Sequence, residues 1–197
     1  MENQWIPVIG PSYCAPYPLQ LQINTEKGNT YDIKGDRVFH VQDTFFTLHH
    51  RRVLCDNSGN PIVTLYKEHM TMHGRCNVFR GKSSDPSQLV FSVKRSSMSS
   101  LIKLEVFLAN NKKESHCDFR VIVGQAKSSC TVYVGESSNV AAAMVNNGGF
   151  HVWVNRYVDY AFVVALLLIL HDMNDYADLK NLAIEIGKAV VLSDLSN

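Results

Sequence analysis

The chain has 197 residues, of which 46% are hydrophobic and 19% charged, and its formal net charge is +1. This composition excludes an intrinsically disordered chain, and the length suits one large domain or two small ones. The N-terminus lacks the basic segment followed by an apolar segment that marks a secretory signal, and the five cysteines are widely spaced without a CxxC pair. We therefore expect an intracellular protein with free, buried thiols.

The chain begins with a proline-rich segment and continues as a series of short strands. Residues 1–18 hold four of the six prolines, which predicts an irregular N-terminal arm. From residue 19 onward, apolar or alternating runs separated by turn residues predict β-strands. These runs are Leu19–Ile23, Arg37–Gln42, Phe45–Leu48, Arg52–Cys55, Ile62–Tyr66, Leu89–Val93, Ile102–Leu108, Phe119–Val123, Thr131–Val134 and Phe150–Val154. About ten strands ahead of any helix predict a mainly β protein, either an antiparallel sandwich or a barrel.

A helix is predicted at Val158–Asn174, and no residue from Ala161 to Leu170 is polar. A helix that is apolar on every face is buried on all sides or lies in a membrane. A transmembrane span needs about 20 apolar residues, and Asp159 and His171 stop this run short of that. A helix packed on one face of a sandwich would keep a polar face, so we expect this one to lie along the axis of a barrel. Its length, about 25 Å, is close to that of a strand of seven or eight residues.

The C-terminal segment, residues 175–197, has a weaker helical pattern. Apolar residues recur at helical spacing, with polar residues opposite them, which predicts an amphipathic tail helix. The apolar positions are Leu179, Leu182, Ala183, Ile186 and Val190. Such a tail packs on its own domain or binds a partner. The predicted organisation is an arm at 1–18, a barrel domain at 19–174 and the tail at 175–197.

Seven short motifs follow one another in a fixed order between about residues 12 and 174. They are Cys14–Pro18, Thr47–Leu54, Gly59–Leu65, Met72–Arg75, Val78–Gly81, Val93–Met98 and Val158–Val163. In this combination the sequence resembles the plant LURP-one-related family, which is similar to tubby C-terminal domains and phospholipid scramblases. The resemblance implies a tubby-like barrel of about twelve antiparallel strands around a hydrophobic helix. Two regions, Ile23–Asp36 and Val140–Phe150, are shorter than the resemblance implies. In the second we expect a strand and a basic stretch to be missing, so full closure of the barrel stays open.

The same resemblance implies a non-catalytic regulatory protein. Tubby domains bind phosphoinositides through basic residues and can leave the membrane for the nucleus, and the LURP-one-related proteins are associated with plant defence. We therefore expect a cytoplasmic protein, peripheral at the plasma membrane or nuclear, without a transmembrane span. The alternatives are a scaffold for an unknown protein partner, a membrane-tethered transcription regulator and, most remotely, an uncharacterised enzyme.

No catalytic, cofactor or metal site is predicted. The sequence contains no GxSxG elbow, no GxxxxGK[ST] loop and no GxGxxG loop, which are the signatures of nucleophilic and phosphate-loop chemistry. His69 and His73 would share one face of a strand near Cys76, but a metal site needs three or four convergent ligands. Direct nucleic-acid binding is not indicated either, because no zinc finger, basic helix or RNP-like strand is present.

Basic residues are the remaining candidates for function. Residues 51–100 hold eight Lys/Arg against three Asp/Glu, a balance that can attract an anionic surface. Alternation along strands sends neighbouring side chains to opposite faces, so only some of these residues can share one patch. We expect most of them to lie on a solvated barrel wall. The predicted contacts with the phosphates of anionic lipids are Lys94, Arg95, Arg75 and Arg80.

Overall fold

The computed structural model describes residues 5–25, 27–43, 51–68, 74–96, 103–124, 129–146 and 150–173. The strands are β1 (Leu19–Asn24), β2 (Asn29–Asp32), β3 (Arg37–Asp43), β4 (Arg51–Asp56), β5 (Pro61–Lys67), β6 (Arg75–Arg80), β7 (Leu89–Arg95), β8 (Lys103–Leu108), β9 (Phe119–Val123), β10 (Ser129–Val134), β11 (Val140–Asn146) and β12 (Phe150–Val154). Within the described ranges these twelve strands form a closed antiparallel barrel. Each strand pairs with its neighbours in the chain, and β1 closes the barrel against β12. The predicted barrel is confirmed.

Both regions that look short in the sequence contain a strand, so the question of closure is answered. The first holds β2, which pairs with β1 and β3, and the second holds β11, which pairs with β10 and β12. The expectation that Val140–Phe150 lacks a strand is wrong. Strand β11 is hard to detect in the sequence because Ala141, Ala142 and Ala143 have low β-propensity. Strand β2 is hard to detect because it is short and polar. Strand β6 was also absent from the predicted series, and the predicted strand Phe45–Leu48 lies outside the described residues.

A helix, α1, fills the barrel and spans residues 160–173. Every residue from 161 to 170 is at most 4% exposed, and Phe162 packs against Phe91 and Phe119 with ring centroids 5.1 and 4.7 Å away. The predicted axial helix is confirmed, although it begins two residues later than expected. Val158 instead forms a bridge with Ile6, and Asp159 forms one with Cys14.

Asp159 fixes the position at which α1 begins. Its Oδ1 accepts a hydrogen bond from the N–H of Phe162 at 2.9 Å, which is the geometry of an N-cap. Its Oδ2 accepts three more from backbone N–H groups at residues 8–10 of the N-terminal segment. That segment therefore lies across the end of the barrel where α1 begins, which we call the entry end. The opposite end is the exit end.

Two 3₁₀ helices, Pro11–Tyr13 and Pro86–Gln88, complete the described secondary structure. No helix in the described part of the chain is long and apolar enough to cross a membrane. The predicted tail helix at 175–197 lies outside the described residues and stays a prediction.

Candidate functional site

Arg75 and Lys94 lie side by side on the outer wall of the barrel, near the exit end. The register of β6 and β7 pairs the two residues directly. Both side chains point outward, because their chain neighbours Cys76 and Val93 are buried in the core that surrounds α1. Two of the four predicted lipid contacts are thus brought together by strand pairing.

An acidic residue bridges this pair. Nη2 of Arg75 lies 2.8 Å from Oε1 and 2.7 Å from Oε2 of Glu114, and Nζ of Lys94 lies 2.9 Å from Oε2. The three side chains retain between 24% and 31% of their exposure. One carboxylate therefore receives three charge-assisted hydrogen bonds at a site that water and ligands still reach.

Glu114 reaches the pair because its loop folds back along the wall. Residues 109–118, which we call the Glu114 loop, connect β8 and β9 at the entry end, whereas Arg75 and Lys94 lie near the other end. Within the loop, Oδ1 of Asn111 accepts a hydrogen bond from the N–H of Glu114 at 3.2 Å, and Nδ2 of Asn111 donates to Asp118 at 2.8 Å. Glu114 itself has a φ of 48°, an uncommon conformation for a residue other than glycine.

The side chains beneath Arg75 and Lys94, which we call the floor of the site, are buried and partly apolar. Ser92 and Phe107 are neighbours across β7 and β8, and each is 3% exposed although it points outward. Nη1 of Arg75 lies 3.3 Å from Oγ of Ser92, and Nζ of Lys94 lies 4.5 Å from the centre of the Phe107 ring. Cations over such a floor interact with an anion more strongly than they would in bulk water.

The balance of these effects keeps Glu114 ionised. Burial disfavours the charged form of the carboxylate, but the hydrogen bonds and positive charges of Arg75 and Lys94 outweigh it and lower the pKa of Glu114. Glu114 is not among the predicted contacts, all of which are cations. No spacing in the sequence relates Glu114 to Arg75, which lies 39 residues away.

Arg95 lies on the opposite face of β7 from Lys94 and contacts the C-terminal end of α1. Its Nη2 donates to the carbonyl oxygen of Met173 at 3.2 Å, at the exit end of the barrel. Nζ of Lys67 donates to the carbonyl of Asp172 at 3.2 Å, and Arg52 forms an ion pair with the Asp172 carboxylate at 2.7 Å. Cations at a helix C-terminus bind its unpaired carbonyl groups and complement its dipole. Arg95 is thus part of the support of α1.

Arg80 lies at the entry end, away from the other three predicted contacts. Its Nη1 donates to the carbonyl oxygen of Ile9 at 3.1 Å, which ties β6 to the N-terminal segment. The four predicted residues therefore do not form one patch. Arg75 and Lys94 form a pair on the wall, whereas Arg95 lies at the exit end and Arg80 at the entry end.

The described residues contain no group of three or more His, Cys, Asp or Glu arranged to hold a metal ion. His69 and His73 lie outside the described residues. Cys14, Cys55, Cys76 and Cys130 are buried free thiols, and Cys117 is half-buried. Burial raises the pKa of Cys76 and Cys130 to about 12 and that of Cys14 to about 11. These three thiols are therefore protonated and weakly nucleophilic at neutral pH.

The strands of the barrel and most of α1 fall within one match to a known family. The family model described as LURP-one-related matches residues 20–172. The chain belongs to the LURP-one-related family. The resemblance found in the sequence motifs is thereby confirmed over most of the chain.

Individual relatives agree with this assignment. The LURP-one-related chain is 43% identical to Protein LURP-one-related 15 of Arabidopsis thaliana over an alignment of 185 residues, and the match covers 85% of each protein. It is 40% identical to Protein LURP1 of the same plant over an alignment of 181 residues, and that match covers 83% of this chain and 87% of the relative. An X-ray structure of an Arabidopsis thaliana protein, 43% identical, matches the fold with a TM-score of 0.71 over 85% of this chain and 98% of that one. Sequence and fold thus point to the same family.

Proposed function

We propose that this LURP-one-related protein is a non-catalytic binding module that recognises the phosphate groups of anionic lipids, phosphoinositides among them, through Arg75 and Lys94. The observation that carries the proposal is the convergence of both cations on one oxyanion, the Glu114 carboxylate, at distances between 2.7 and 2.9 Å. A phosphate oxygen accepts the same hydrogen bonds from a guanidinium and an ammonium group.

The barrel interior is filled by α1, which favours a binding site on the outside of the barrel. Residues 161–170 of α1 are buried and fill the axis, so the ligand-binding surface of this fold is its wall and its two ends. On the wall, Arg75 and Lys94 are partly exposed and lie over the buried side chains of Ser92 and Phe107. Each basic residue near an anionic leaflet contributes about 1 kcal/mol, so two residues give weak, salt-sensitive peripheral binding.

Liposome flotation tests the proposal. Phosphatidylcholine vesicles with and without a phosphatidylinositol monophosphate are mixed with the wild type and with the double variant Arg75→Ala/Lys94→Ala. We expect the wild type to float only with the phosphorylated lipid and the double variant to stay in solution. A matched control, Lys34→Ala/Arg156→Ala, removes two exposed cations elsewhere and should float like the wild type.

Two results would contradict the proposal. Equal recovery of the wild type with and without the phosphorylated lipid would show that its phosphomonoester group is not recognised. Equal losses for the double variant and its control would show that net charge, and not this pair, governs binding. The scaffold role and the association with plant defence stay predictions.

A further inference from the structure

The Glu114 carboxylate stands where a ligand's oxyanion would bind Arg75 and Lys94. It receives the three hydrogen bonds that the pair offers, and it is supplied by the chain itself. We propose that Glu114 is an internal competitor that sets an affinity threshold for this site, so that phosphomonoesters displace it and weaker anions do not. The inference rests on the proposed function, because it requires that Arg75 and Lys94 bind anionic ligands.

The charges of the competing groups determine which ligands succeed. A carboxylate carries one negative charge on two oxygens, and the phosphodiester of an ordinary phospholipid also carries one. A phosphomonoester carries about 1.5 to 2 negative charges at neutral pH and three acceptor oxygens. Since Glu114 is already tethered beside the pair, a monovalent anion gains nothing by replacing it. A phosphomonoester gains both charge and an additional acceptor, whether it belongs to a lipid headgroup or to a soluble phosphate.

Release of the Glu114 carboxylate from Arg75 and Lys94 should cost little free energy. The ion pairs are partly exposed, and such pairs contribute little to stability. Glu114 has a positive φ, a conformation that costs free energy and is retained while surrounding contacts hold it. Its chain neighbours Lys112, Lys113 and Ser115 are exposed.

A purely structural role for Glu114 predicts a different behaviour. If the residue only holds its loop on the wall, its replacement loosens the loop and leaves ligand affinity unchanged. If it competes with ligands, its replacement increases their affinity. The sign of the change in affinity separates the two roles.

The experiment compares the wild type with Glu114→Gln and with Glu136→Gln. Glu136 is exposed in the turn between β10 and β11, so its variant removes the same charge and leaves the contacts of Glu114 with Arg75 and Lys94 in place. Binding is measured to phosphatidylcholine vesicles that carry a phosphatidylinositol monophosphate, to vesicles that carry phosphatidylserine at equal charge, and to a soluble inositol phosphate. We expect Glu114→Gln to bind all three roughly 3- to 6-fold more tightly, because removal of an internal competitor raises the affinity for each ligand by a similar factor. Glu136→Gln should stay within roughly two-fold of the wild type.

Each result has a defined meaning. Equal affinities of the two variants, with the wild type binding the phosphorylated lipid, would overturn the competitor and leave the proposed function intact. Absence of binding by all three proteins would overturn both. Comparable affinities for the soluble inositol phosphate and the lipid would identify the phosphate, and not the bilayer, as the ligand that displaces Glu114.

Hydrogen exchange on the wild type provides a test that does not depend on any variant. Ligand binding that displaces Glu114 should accelerate amide exchange in residues 109–118, because the loop loses its attachment to the wall. Slower or unchanged exchange in that loop on binding of the phosphorylated lipid would overturn the competitor.

Discussion

The carboxylate of Asp159 accepts a hydrogen bond from the backbone N–H of Ile9 at 2.7 Å, across 150 residues of chain. The same oxygen accepts from Val8 at 3.1 Å and Gly10 at 3.0 Å, and the second oxygen caps α1 through Phe162. Burial raises the pKa of Asp159, although the four hydrogen bonds oppose this shift. One buried side chain thus joins the N-terminal segment to the start of the central helix.

Replacing Asp159 with alanine should remove this connection. Four backbone donors would lose their acceptor, and we expect the free energy of unfolding to fall by about 2–4 kcal/mol, the sum of a lost N-cap and lost charge-assisted bonds. Urea denaturation followed by circular dichroism measures the change.

Asp85→Ala provides the matched control. Asp85 caps an exposed 3₁₀ helix through the N–H of Ser87 at 2.8 Å, and its loss should cost about 1 kcal/mol or less. Equal losses in the two variants would show that Asp159 does not hold the two segments together.

A charge introduced into α1 should unfold the barrel. Val164 is fully buried and Leu167 is 2% exposed, so Val164→Asp or Leu167→Asp would bury an unpaired carboxylate at a cost of several kcal/mol, comparable with the whole stability of a domain. We expect insoluble protein, or protein without near-ultraviolet circular dichroism. Val145→Asp places the same charge at a side chain 42% exposed on the outer wall and should stay folded. A soluble, folded Leu167→Asp variant would contradict the axial position of the helix.

Lys94 and Arg95 are adjacent in the chain but should respond differently to replacement. Lys94→Ala removes a cation from the wall and should weaken binding to phosphoinositide vesicles, with little change in stability. Arg95→Ala removes a donor to the Met173 carbonyl at the helix C-terminus. It should lower the free energy of unfolding by about 1 kcal/mol and leave lipid binding unchanged. Flotation and thermal unfolding of both variants test this division, and a loss of lipid binding in Arg95→Ala would contradict it.

Much of the fold was accessible from the sequence because single-residue patterns encode it. The uninterrupted apolar run Ala161–Leu170 requires an enclosure on all sides, and the alternating strands supply one. Strands β2 and β11 were harder to find, since a short polar strand and an alanine-rich strand have weak local signals and depend on their neighbours for pairing. Closure of the barrel depends on how all the strands pair with one another. No single run of residues in the sequence shows that pairing.

The candidate site was less accessible, because tertiary contacts decide what each cation does. Strand alternation indicates that Lys94 and Arg95 face opposite sides, and it also places Arg75 on the face of Lys94 once the register is known. The contacts of Arg80 with the N-terminal segment and of Arg95 with α1 depend on packing between distant parts of the chain. Glu114 is held at the site by a loop that folds back along the wall, and no local pattern in the sequence predicts that path.

The stability of the Glu114 loop should depend on pH in a defined direction. In the described chain, the charged groups within ion-pair distance of Glu114 are Arg75 on β6 and Lys94 on β7. They lower its pKa below the ordinary value of 4.5. Because the folded state favours the ionised form, the stabilising contribution is complete above pH 4.5 and is lost as the pH falls through the lowered pKa.

The measurement is the difference in unfolding free energy between the wild type and Glu114→Gln from about pH 7 to about pH 3. We expect a difference of at most about 1 kcal/mol at neutral pH, since the pairs are partly exposed, and a decline toward zero in acid. A difference that grows as the pH falls would show that the folded state prefers protonated Glu114, and that the carboxylate is not the anion that Arg75 and Lys94 bind.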